Sequence, residues 1–396
     1  MKVMMNDNLQ NLMCEATQLT QAGRLSEATA IIQRALRGEN PAEPPSNPKA
    51  TSTSTSASTP ADASSMVLDG CVVEVPGSAA ADALQPKQST TPDAETFKAP
   101  SSLGEFISGS HTHAGLTRRY KLYVPPGPSD QPRPLVVMLH GCTQNPDDFA
   151  AGTAMNERAR AQGFFVLYPE QSKEANAHLC WNWFKHNHQQ RGRGEPALIA
   201  DLTQRIVSLH GIDTQRVFIV GLSAGAAMAS LVGEAYREIF AAVGVHSGLP
   251  NGVAHNAQQA FALMKDGASA SSSQRTSVSA NSARHGPMPT IVFHGDQDKT
   301  VNPVNGEQVI AAVLANAVVT APAHIEQGQT PNGRRYTRST HHDDRGKIIA
   351  EHWLVHGAGH AWSGGGAKGS YTDAKGPDAT GEILRFFFEH PQDLLT

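Results

Sequence analysis

Cysteine is scarce in this sequence: only Cys14, Cys71, Cys142 and Cys180 stand among its 396 residues. Their number and scatter exclude a disulfide scaffold and a cysteine-based zinc site. Long apolar runs are also missing, and none approaches the roughly 18–20 residues that cross a bilayer. The net charge of −4 is small and gives no argument for a nucleic-acid partner. We therefore expect neither nucleic-acid binding nor a transmembrane segment.

The first twenty residues lack two features of a secretory leader, a continuous apolar stretch and a small-residue cleavage site. This absence predicts a cytoplasmic protein. Secretion is the alternative if the start site is misassigned.

Hydrophobic residues make up 39% of the chain, a low share that leaves part of it outside any core. Three regions differ in composition. Residues 6–37 carry apolar residues at three- and four-residue steps, which predicts an amphipathic helical hairpin. Residues 38–100 are rich in proline, serine, threonine and alanine, which is typical of a disordered linker. Residues 101–396 carry the periodic pattern of α/β structure.

In the third region short apolar runs alternate with helical patterns. Strands are predicted over residues 118–126, 134–141, 164–170, 216–221, 240–248, 289–298 and 347–357. Helices are predicted over residues 145–163, 195–211, 223–236, 302–317 and 379–390. This alternation favours an α/β fold with a mostly parallel sheet covered by helices on both faces.

The stretch "FIVGLSAGAAMA" places Ser223 between Gly221 and Gly225, where a strand gives way to a helix. G-x-S-x-G at such a junction is typical of a nucleophile elbow, a strained turn whose neighbours must be small. The alternative is a glycine-rich turn with an incidental serine. The position after an apolar strand and before an alanine-rich helix favours the nucleophile.

A serine nucleophile needs a base and a carboxylate that orients the base. In this chain order the carboxylate comes next, and "HGDQD" offers Asp298, with Asp296 as the competitor. The glycine-rich loop "VHGAGHAW" offers His360 as the base, with His356 as the alternative. We favour Asp298 and His360 because both lie farther into loops from which they can turn toward Ser223.

An oxyanion formed at the serine would need amide donors. One is the N–H of Ala224, directly after the serine. The second is expected from the loop after "LVVMLHG", where we favour Cys142, with Gly141 or Thr143 as alternatives. His140 in the same loop is interpreted as a structural hydrogen-bonding residue.

The motifs "LVVMLHGCTQNPDDFA", "CWNWF", "GLSAGAAMA", "HGDQDKTV" and "GAGHAWSGG" together resemble the esterase/poly(3-hydroxybutyrate) depolymerase family over about residues 105–390. The resemblance implies an α/β-hydrolase fold, hydrolysis of polyester or related ester bonds, and no cofactor. Carried onto this chain, it implies Ser223 as nucleophile, Asp298 as acid and His360 as base. The amino-terminal helical segment is similar in arrangement to intracellular polyhydroxyalkanoate depolymerases.

Three tryptophans are candidates for the substrate groove. Trp181 and Trp183 stand in "CWNWF", and Trp362 follows the proposed base by two residues. Indole faces could line an apolar groove, whereas ordinary core packing is the alternative. Cys142 and Cys180 each neighbour a proposed site element, so they could form a disulfide in an oxidising compartment or remain free thiols in the cytosol.

The leading hypothesis is a serine esterase acting on poly(3-hydroxybutyrate) or its oligomers. The polar span 265–286 cannot form a stable apolar lid, and an open cleft suits a polymer. A feruloyl or acetylxylan-type carbohydrate esterase is the alternative, and a granule-associated scaffold is a third possibility. A polyhydroxyalkanoate granule surface is a candidate partner of the amino-terminal helices, and packing of these helices on the catalytic domain or on each other is the alternative. The adjacent "HHDD" at 341–344 is typical of a solvated surface, and no metal site is predicted.

Overall fold

A computed structural model describes residues 103–268, 286–331 and 333–392, which contain a ten-stranded sheet. The predicted helical hairpin at 6–37 and the predicted linker at 38–100 lie outside the described residues. In chain order, the strands of the sheet are β1 (Glu105–His113), β2 (Leu116–Val124), β3 (Leu135–Leu139), β4 (Phe165–Pro169), β5 (Val217–Leu222), β6 (Ala242–His246), β7 (Thr290–Gly295), β8 (His324–Gln329), β9 (Arg335–His342) and β10 (Ile348–Val355).

The strand order across the sheet is β1-β2-β4-β3-β5-β6-β7-β10-β9-β8. The six strands from β4 to β10 pair in parallel, and antiparallel pairs extend the sheet at both edges. The prediction of a mostly parallel sheet is confirmed. The outer strands β1, β8 and β9 were not predicted, because their side chains are mostly exposed or half-buried and form no continuous apolar run.

Helices cover both faces of the sheet. They are α1 (Pro146–Thr153), α2 (Met155–Gln162), α3 (Gly194–His210), α4 (Ala224–Ala235), α5 (Ala257–Asp266), α6 (Val304–Leu314) and α7 (Ala379–Phe388). The predicted helix at 145–163 is two helices, because Ala154 between them adopts a left-handed backbone with φ of 53°. Helix α5 was not predicted from the sequence.

Strand β3 explains why the central runs are continuously apolar. Its alternate residues Val136 and Met138 face the core layer that contains α1, α2 and α7. Leu135, Val137 and Leu139 face the opposite layer, which contains α3 and α4. A strand buried on both faces has no solvent side, so every position favours an apolar residue.

The carboxyl ends of parallel strands meet at one edge of a sheet, where ligands bind in open α/β folds. Ser223 follows β5, Asp298 lies three residues after β7, and His360 lies five residues after β10. The topology therefore brings these three chain segments to the same edge. A short parallel pair, β11 (Trp362–Ser363) and β12 (Thr372–Asp373), continues the segment that carries His360. Within the described residues, no helix combines the length and apolarity that crossing a bilayer requires.

Candidate active site

Ser223 occupies a sharp turn between β5 and α4, with φ of 58° and ψ of −121°. The turn depends on its two glycines. A Cβ on Gly225 would lie 2.1 Å from the carbonyl oxygen of Leu139, and a Cβ on Gly221 would lie 2.3 Å from the carbonyl carbon of Gly225. Both distances are shorter than real Cβ contacts. The G-x-S-x-G pattern is therefore a steric requirement of this turn.

Strained backbone is concentrated around this turn. Five non-glycine residues near the same sheet edge have positive φ angles, and they are Thr143, Leu179, Ser223, Ser247 and Tyr371. Left-handed backbone costs energy in residues that carry a Cβ, and such strain is concentrated at functional sites. The pattern marks this edge as the candidate site.

Asp298 and His360 are joined by a hydrogen bond of 2.7 Å between Oδ2 and Nδ1. The other carboxylate oxygen, Oδ1, accepts the backbone N–H groups of Thr300 at 2.8 Å and Val301 at 2.9 Å. Because an ionised carboxylate only accepts hydrogen bonds, Nδ1 of His360 carries the hydrogen. The second ring nitrogen, Nε2, is thereby left able to accept a proton.

A second histidine contacts the same carboxylate from inside the fold. Nε2 of His294 lies 2.9 Å from the carbonyl oxygen of Val301 and 3.5 Å from Oδ2 of Asp298. Burial alone would raise the pKa of Asp298. Hydrogen bonds from His294 and His360 outweigh burial, and the pKa lies well below its ordinary value. Asp298 therefore remains ionised at neutral pH.

Asp296 and His356, the alternatives to Asp298 and His360, form a hydrogen-bonded pair of their own. Oδ2 of Asp296 lies 2.9 Å from Nδ1 of His356, and Oδ1 accepts the N–H of Gly357 at 2.7 Å. Nε2 of His356 lies 2.9 Å from the hydroxyl of Thr337 on β9. This second pair connects the ends of β7, β9 and β10, and it does not involve Ser223.

His246 connects the serine turn with the segment that carries His360. Its carbonyl accepts the N–H of Ser223 at 2.9 Å, and its ring Nε2 accepts the N–H of Ser363 at 2.9 Å. Burial lowers the pKa of His246 to about 3, so the ring is neutral and can accept. Among the described residues, no hydrogen bond joins the Ser223 hydroxyl directly to His360, and His246 is the link between the two.

Of the three amides considered in the loop after β3, one is available for a ligand among the described residues. The N–H of Gly141 donates to Oε1 of Gln144 at 2.9 Å, and the N–H of Thr143 donates to the carbonyl of His178 at 2.7 Å. The N–H of Cys142 has no acceptor within the described part of the chain. Of the three amides considered from the sequence, this geometry favours Cys142. The amide of Ala224 opens helix α4, where N–H groups lack partners inside the helix.

His140 supports the peptide that carries this amide. Its Nδ1 lies 2.8 Å from the carbonyl oxygen of Gly141, and its Nε2 accepts the N–H of Gln171 at 3.1 Å. Burial lowers the pKa of His140 to about 4, so the ring is neutral. A hydrogen bond to the Gly141 carbonyl polarises the Gly141–Cys142 peptide and strengthens its N–H as a donor. This is the structural role expected for His140.

Cys142 and Cys180 form a disulfide, with their Cα atoms 4.2 Å apart. The sequence alone did not decide between a disulfide and two free thiols. The bond fastens the loop after β3 to the segment that contains "CWNWF". The available amide and the cross-link therefore belong to the same residue, Cys142.

The "CWNWF" segment is itself anchored by a buried carboxylate, Glu195, at the start of α3. Glu195 accepts hydrogen bonds from the backbone and side chain of Asn182, both at 2.8 Å, and from Gln171 at 2.7 Å. Arg118 lies 3.1 Å away and His188 lies 3.5 Å away. Burial would raise the pKa of Glu195, but the hydrogen bonds outweigh it and lower the pKa to about 2.

Replacing Glu195 by glutamine is expected to lower the free energy of unfolding by about 3–5 kcal/mol, because it leaves the buried Arg118 without its carboxylate. The pKa of Glu195 is lower in the folded state than its ordinary 4.5. Its contribution is therefore complete above about pH 4.5 and is lost as the pH falls toward 2. Urea unfolding from pH 7 to pH 3 should show this loss in the wild type and a weaker one in the variant.

Glu170→Gln is the matched control, since Glu170 pairs with an exposed Arg119 on the surface and such pairs contribute about 0–1 kcal/mol. Equal losses in the two variants would contradict the role of the Glu195 network.

The three tryptophans are buried. Trp181 is 0%, Trp362 1% and Trp183 6% exposed. The indole N–H of Trp362 donates to the hydroxyl of Thr380 at 3.0 Å, and its ring packs against His246 and Phe149. This burial favours core packing over a place in the substrate groove for all three tryptophans.

Sequence reasoning missed His246 and His294 as site residues. Both were visible as histidines at the ends of apolar strands, at positions where an apolar residue is the ordinary choice. Across the described ranges, no group of three histidine, cysteine or acidic residues has the arrangement of a metal site. The histidines of "HHDD" belong to the end of β9.

Comparison with known proteins gives the family. The family model described as Esterase PHB depolymerase matches residues 118–333, more than half of the chain. Poly(3-hydroxyalkanoate) depolymerase C of Paucimonas lemoignei is 33% identical over 208 residues, which are 52% of this chain and 49% of that protein. A probable acetylxylan esterase A of Aspergillus fumigatus is 28% identical over 197 residues, which are 46% of this chain and 51% of that protein. The chain thus spans about half the length of these curated relatives.

Among solved structures, an acetyl xylan esterase from Aspergillus awamori matches with a TM-score of 0.53 and 20% identity. The match covers 72% of this chain and 99% of that one, which supports a shared fold. With an α/β-hydrolase fold and a family match over more than half of its length, the chain belongs to the Esterase PHB depolymerase family.

Proposed function

We propose that the protein is a serine carboxylic-ester hydrolase in which Ser223 is the nucleophile, His360 the general base and Asp298 the residue that orients the base. The observation that carries this proposal is the 2.7 Å bond between Asp298 and His360 at the sheet edge that presents the Ser223 turn. The ionised carboxylate fixes Nδ1 as the protonated nitrogen, and Nε2 is then the nitrogen that can take a proton from the serine.

In the proposed reaction, Oγ of Ser223 attacks the ester carbonyl carbon while its proton moves to Nε2 of His360. The tetrahedral oxyanion accepts hydrogen bonds from the backbone N–H groups of Ala224 and Cys142. The bond from carbon to the alcohol oxygen then breaks, and that oxygen takes the proton from Nε2. A water molecule then attacks the acyl carbon while His360 takes its proton; the bond to Oγ of Ser223 breaks, Oγ receives that proton from Nε2, and the acid is released. Each oxyanion donor contributes about 2.7–4 kcal/mol to the stability of the transition state.

Among the described residues, no hydrogen bond joins the hydroxyl of Ser223 to His360. Catalytic hydrogen bonds are often long in unliganded enzymes and shorten when substrate binds. The shared attachment to His246 keeps the serine turn and the segment of His360 at the same place on the sheet. The proposal requires that Oγ of Ser223 and Nε2 of His360 come within hydrogen-bond distance when substrate binds.

For the substrate we propose poly(3-hydroxybutyrate) or its oligomers. The match at 33% identity to a protein named poly(3-hydroxyalkanoate) depolymerase C supports this choice. The polar composition of residues 265–286 also supports it, because such a segment cannot bury an apolar lid. Residues 269–285 of this span lie outside the described ranges.

A carbohydrate esterase of the feruloyl or acetylxylan type is the second candidate. The 28% identity to a protein named probable acetylxylan esterase A supports it. The third hypothesis, a granule-associated scaffold, would leave the hydrogen-bonded pair of Asp298 and His360 without a role.

A substrate panel tests the choice between the two esterases. Purified protein is incubated with amorphous poly(3-hydroxybutyrate), linear hydroxybutyrate oligomers, acetylated xylan and feruloylated xylan, and the released acids are quantified. Release of hydroxybutyrate monomer and dimer at rates at least ten times those of acetate and ferulate is the expected result. Faster release of acetate or ferulate would replace the polyester proposal with the carbohydrate one.

The disulfide between Cys142 and Cys180 bears on the compartment. Disulfides persist in oxidising compartments and are rare in the cytosol. This bond supports the secreted or otherwise oxidising alternative over the cytoplasmic expectation. Association with a polyhydroxyalkanoate granule stays a proposal for residues 6–37.

A further inference from the structure

Tyr371 is an exposed aromatic residue beside the candidate base. Its side chain is 45% exposed, whereas the tryptophans first considered for the groove are buried. The Tyr371 ring lies 6.5 Å from the ring of His360, at an interplanar angle of 80°. An aromatic face is thus presented to solvent next to the group that would handle the leaving alcohol.

The backbone conformation of Tyr371 is energetically unfavourable. Its φ is 52°, a left-handed conformation that is unfavourable for a bulky residue. The carbonyl of Tyr371 accepts the N–H of the buried Trp362 at 2.7 Å, and Trp362 pairs with Thr372 in the β11–β12 pair. The strained conformation is therefore imposed by a well-anchored segment, as is typical of functional positions.

The hydroxyl of Tyr371 is also held. It lies 3.2 Å from Oγ1 of Thr143, in the loop after β3. The hydroxyl of Thr143 donates to the carbonyl of Cys142 at 2.6 Å, and a carbonyl can only accept. The Tyr371 hydroxyl must then donate to Thr143. Tyr371 thus bridges the segment of His360 and the loop that holds the available Cys142 amide, with both ends of its side chain fixed.

We propose that Tyr371 is a specificity-determining residue that contacts the alcohol side of the ester. This inference depends on the proposed function. His360 delivers its proton to the departing alcohol oxygen, so a ring beside His360 borders the alcohol portion of the substrate. A pre-positioned aromatic face adds apolar contact with little loss of side-chain freedom on binding. Alcohol portions that extend beyond the ester oxygen, such as a further hydroxyacyl unit, gain this contact, and a methoxy group does not.

Substrate pairs that share an acyl group and differ in the alcohol test this role. Methyl 3-hydroxybutyrate is compared with the linear 3-hydroxybutyrate trimer, and methyl acetate with acetylated xylotriose. Tyr371→Ala is expected to lower kcat/KM for the extended member of the hydrolysed pair by about tenfold, and for the methyl ester by less than about twofold. Tyr371→Phe keeps the ring and is expected to retain most of the wild-type preference.

Ile325→Ala is the matched control, because Ile325 is an exposed apolar side chain on β8, the outermost strand at the far edge of the sheet. If Tyr371→Ala left the ratio of kcat/KM for the extended ester to kcat/KM for the methyl ester unchanged, the specificity role would be overturned. This holds whether both values fall equally or neither falls. Absence of any Ser223-dependent hydrolysis in the wild type would instead overturn the proposed function, which distinguishes the two failures.

Discussion

Replacing Ser223 by alanine is expected to lower kcat for ester hydrolysis by a factor on the order of 10⁴ or more. The substitution removes the only atom that can form the acyl-enzyme in the proposed reaction, and the oxyanion amides alone provide a small residual rate. Alanine is smaller than serine at a turn where space is limiting, so the fold should be retained. Initial rates on hydroxybutyrate oligomers and on a chromogenic short-chain ester measure the effect, and thermal unfolding checks the fold.

Ser208→Ala is the matched control, since Ser208 lies on α3 and its hydroxyl bonds only the backbone carbonyl of Gln204 among the described residues. This variant should keep wild-type kcat. If Ser223→Ala kept more than about a tenth of the wild-type rate while folded, the nucleophile would have to be another group.

The second large effect is expected from Asp298→Asn, which should lower kcat by about 10³–10⁴-fold. Oδ1 of Asp298 already accepts two backbone N–H groups, so the amide nitrogen of asparagine would face His360. That nitrogen donates, and Nδ1 of His360 would have to become the acceptor. Nε2 would then carry the hydrogen and could not take a proton from Ser223. The KM should change much less than kcat, because the side chain does not reach substrate.

Asp296→Asn provides a matched control of the same chemistry. Asp296 bonds His356 rather than His360, so its variant should lie within a few-fold of wild type. Steady-state kinetics of the two variants at one pH decide between the carboxylates. The reverse result, a large loss in Asp296→Asn and a small one in Asp298→Asn, would transfer the orienting role to Asp296.

The central sheet could be predicted because its strands leave a strong local signal. β3 and β5 are buried on both faces, so they read as unbroken apolar runs. The outer strands could not be predicted in the same way. β8 reads His-Ile-Glu-Gln-Gly-Gln and is exposed along most of its length, and it exists because β9 pairs with it rather than because of its own composition.

The candidate site also contains residues that local motifs predict and residues whose positions depend on distant parts of the chain. Ser223, Asp298 and His360 could be placed at one sheet edge because each follows a strand in a recognisable motif. The orientation of Trp362 could not be read from its proximity to His360. It is set by His246 and Phe149, which lie more than one hundred residues earlier in the chain. One feature of the sequence could have indicated Tyr371: it is the single aromatic residue in "GGGAKGSYTD", a loop made otherwise of small and polar residues.

The position of His246 has a consequence for how this protein should respond to heat. Its carbonyl and its ring fasten two separate chain segments to the last residue of β6, in the interior of the sheet. Because both segments are bonded to the same residue of the sheet, thermal motion of the outer loops should change the distance between them little while the sheet is folded. Loss of turnover on warming should accordingly coincide with cooperative melting of the whole domain, without an earlier phase in which a folded protein has already become inactive.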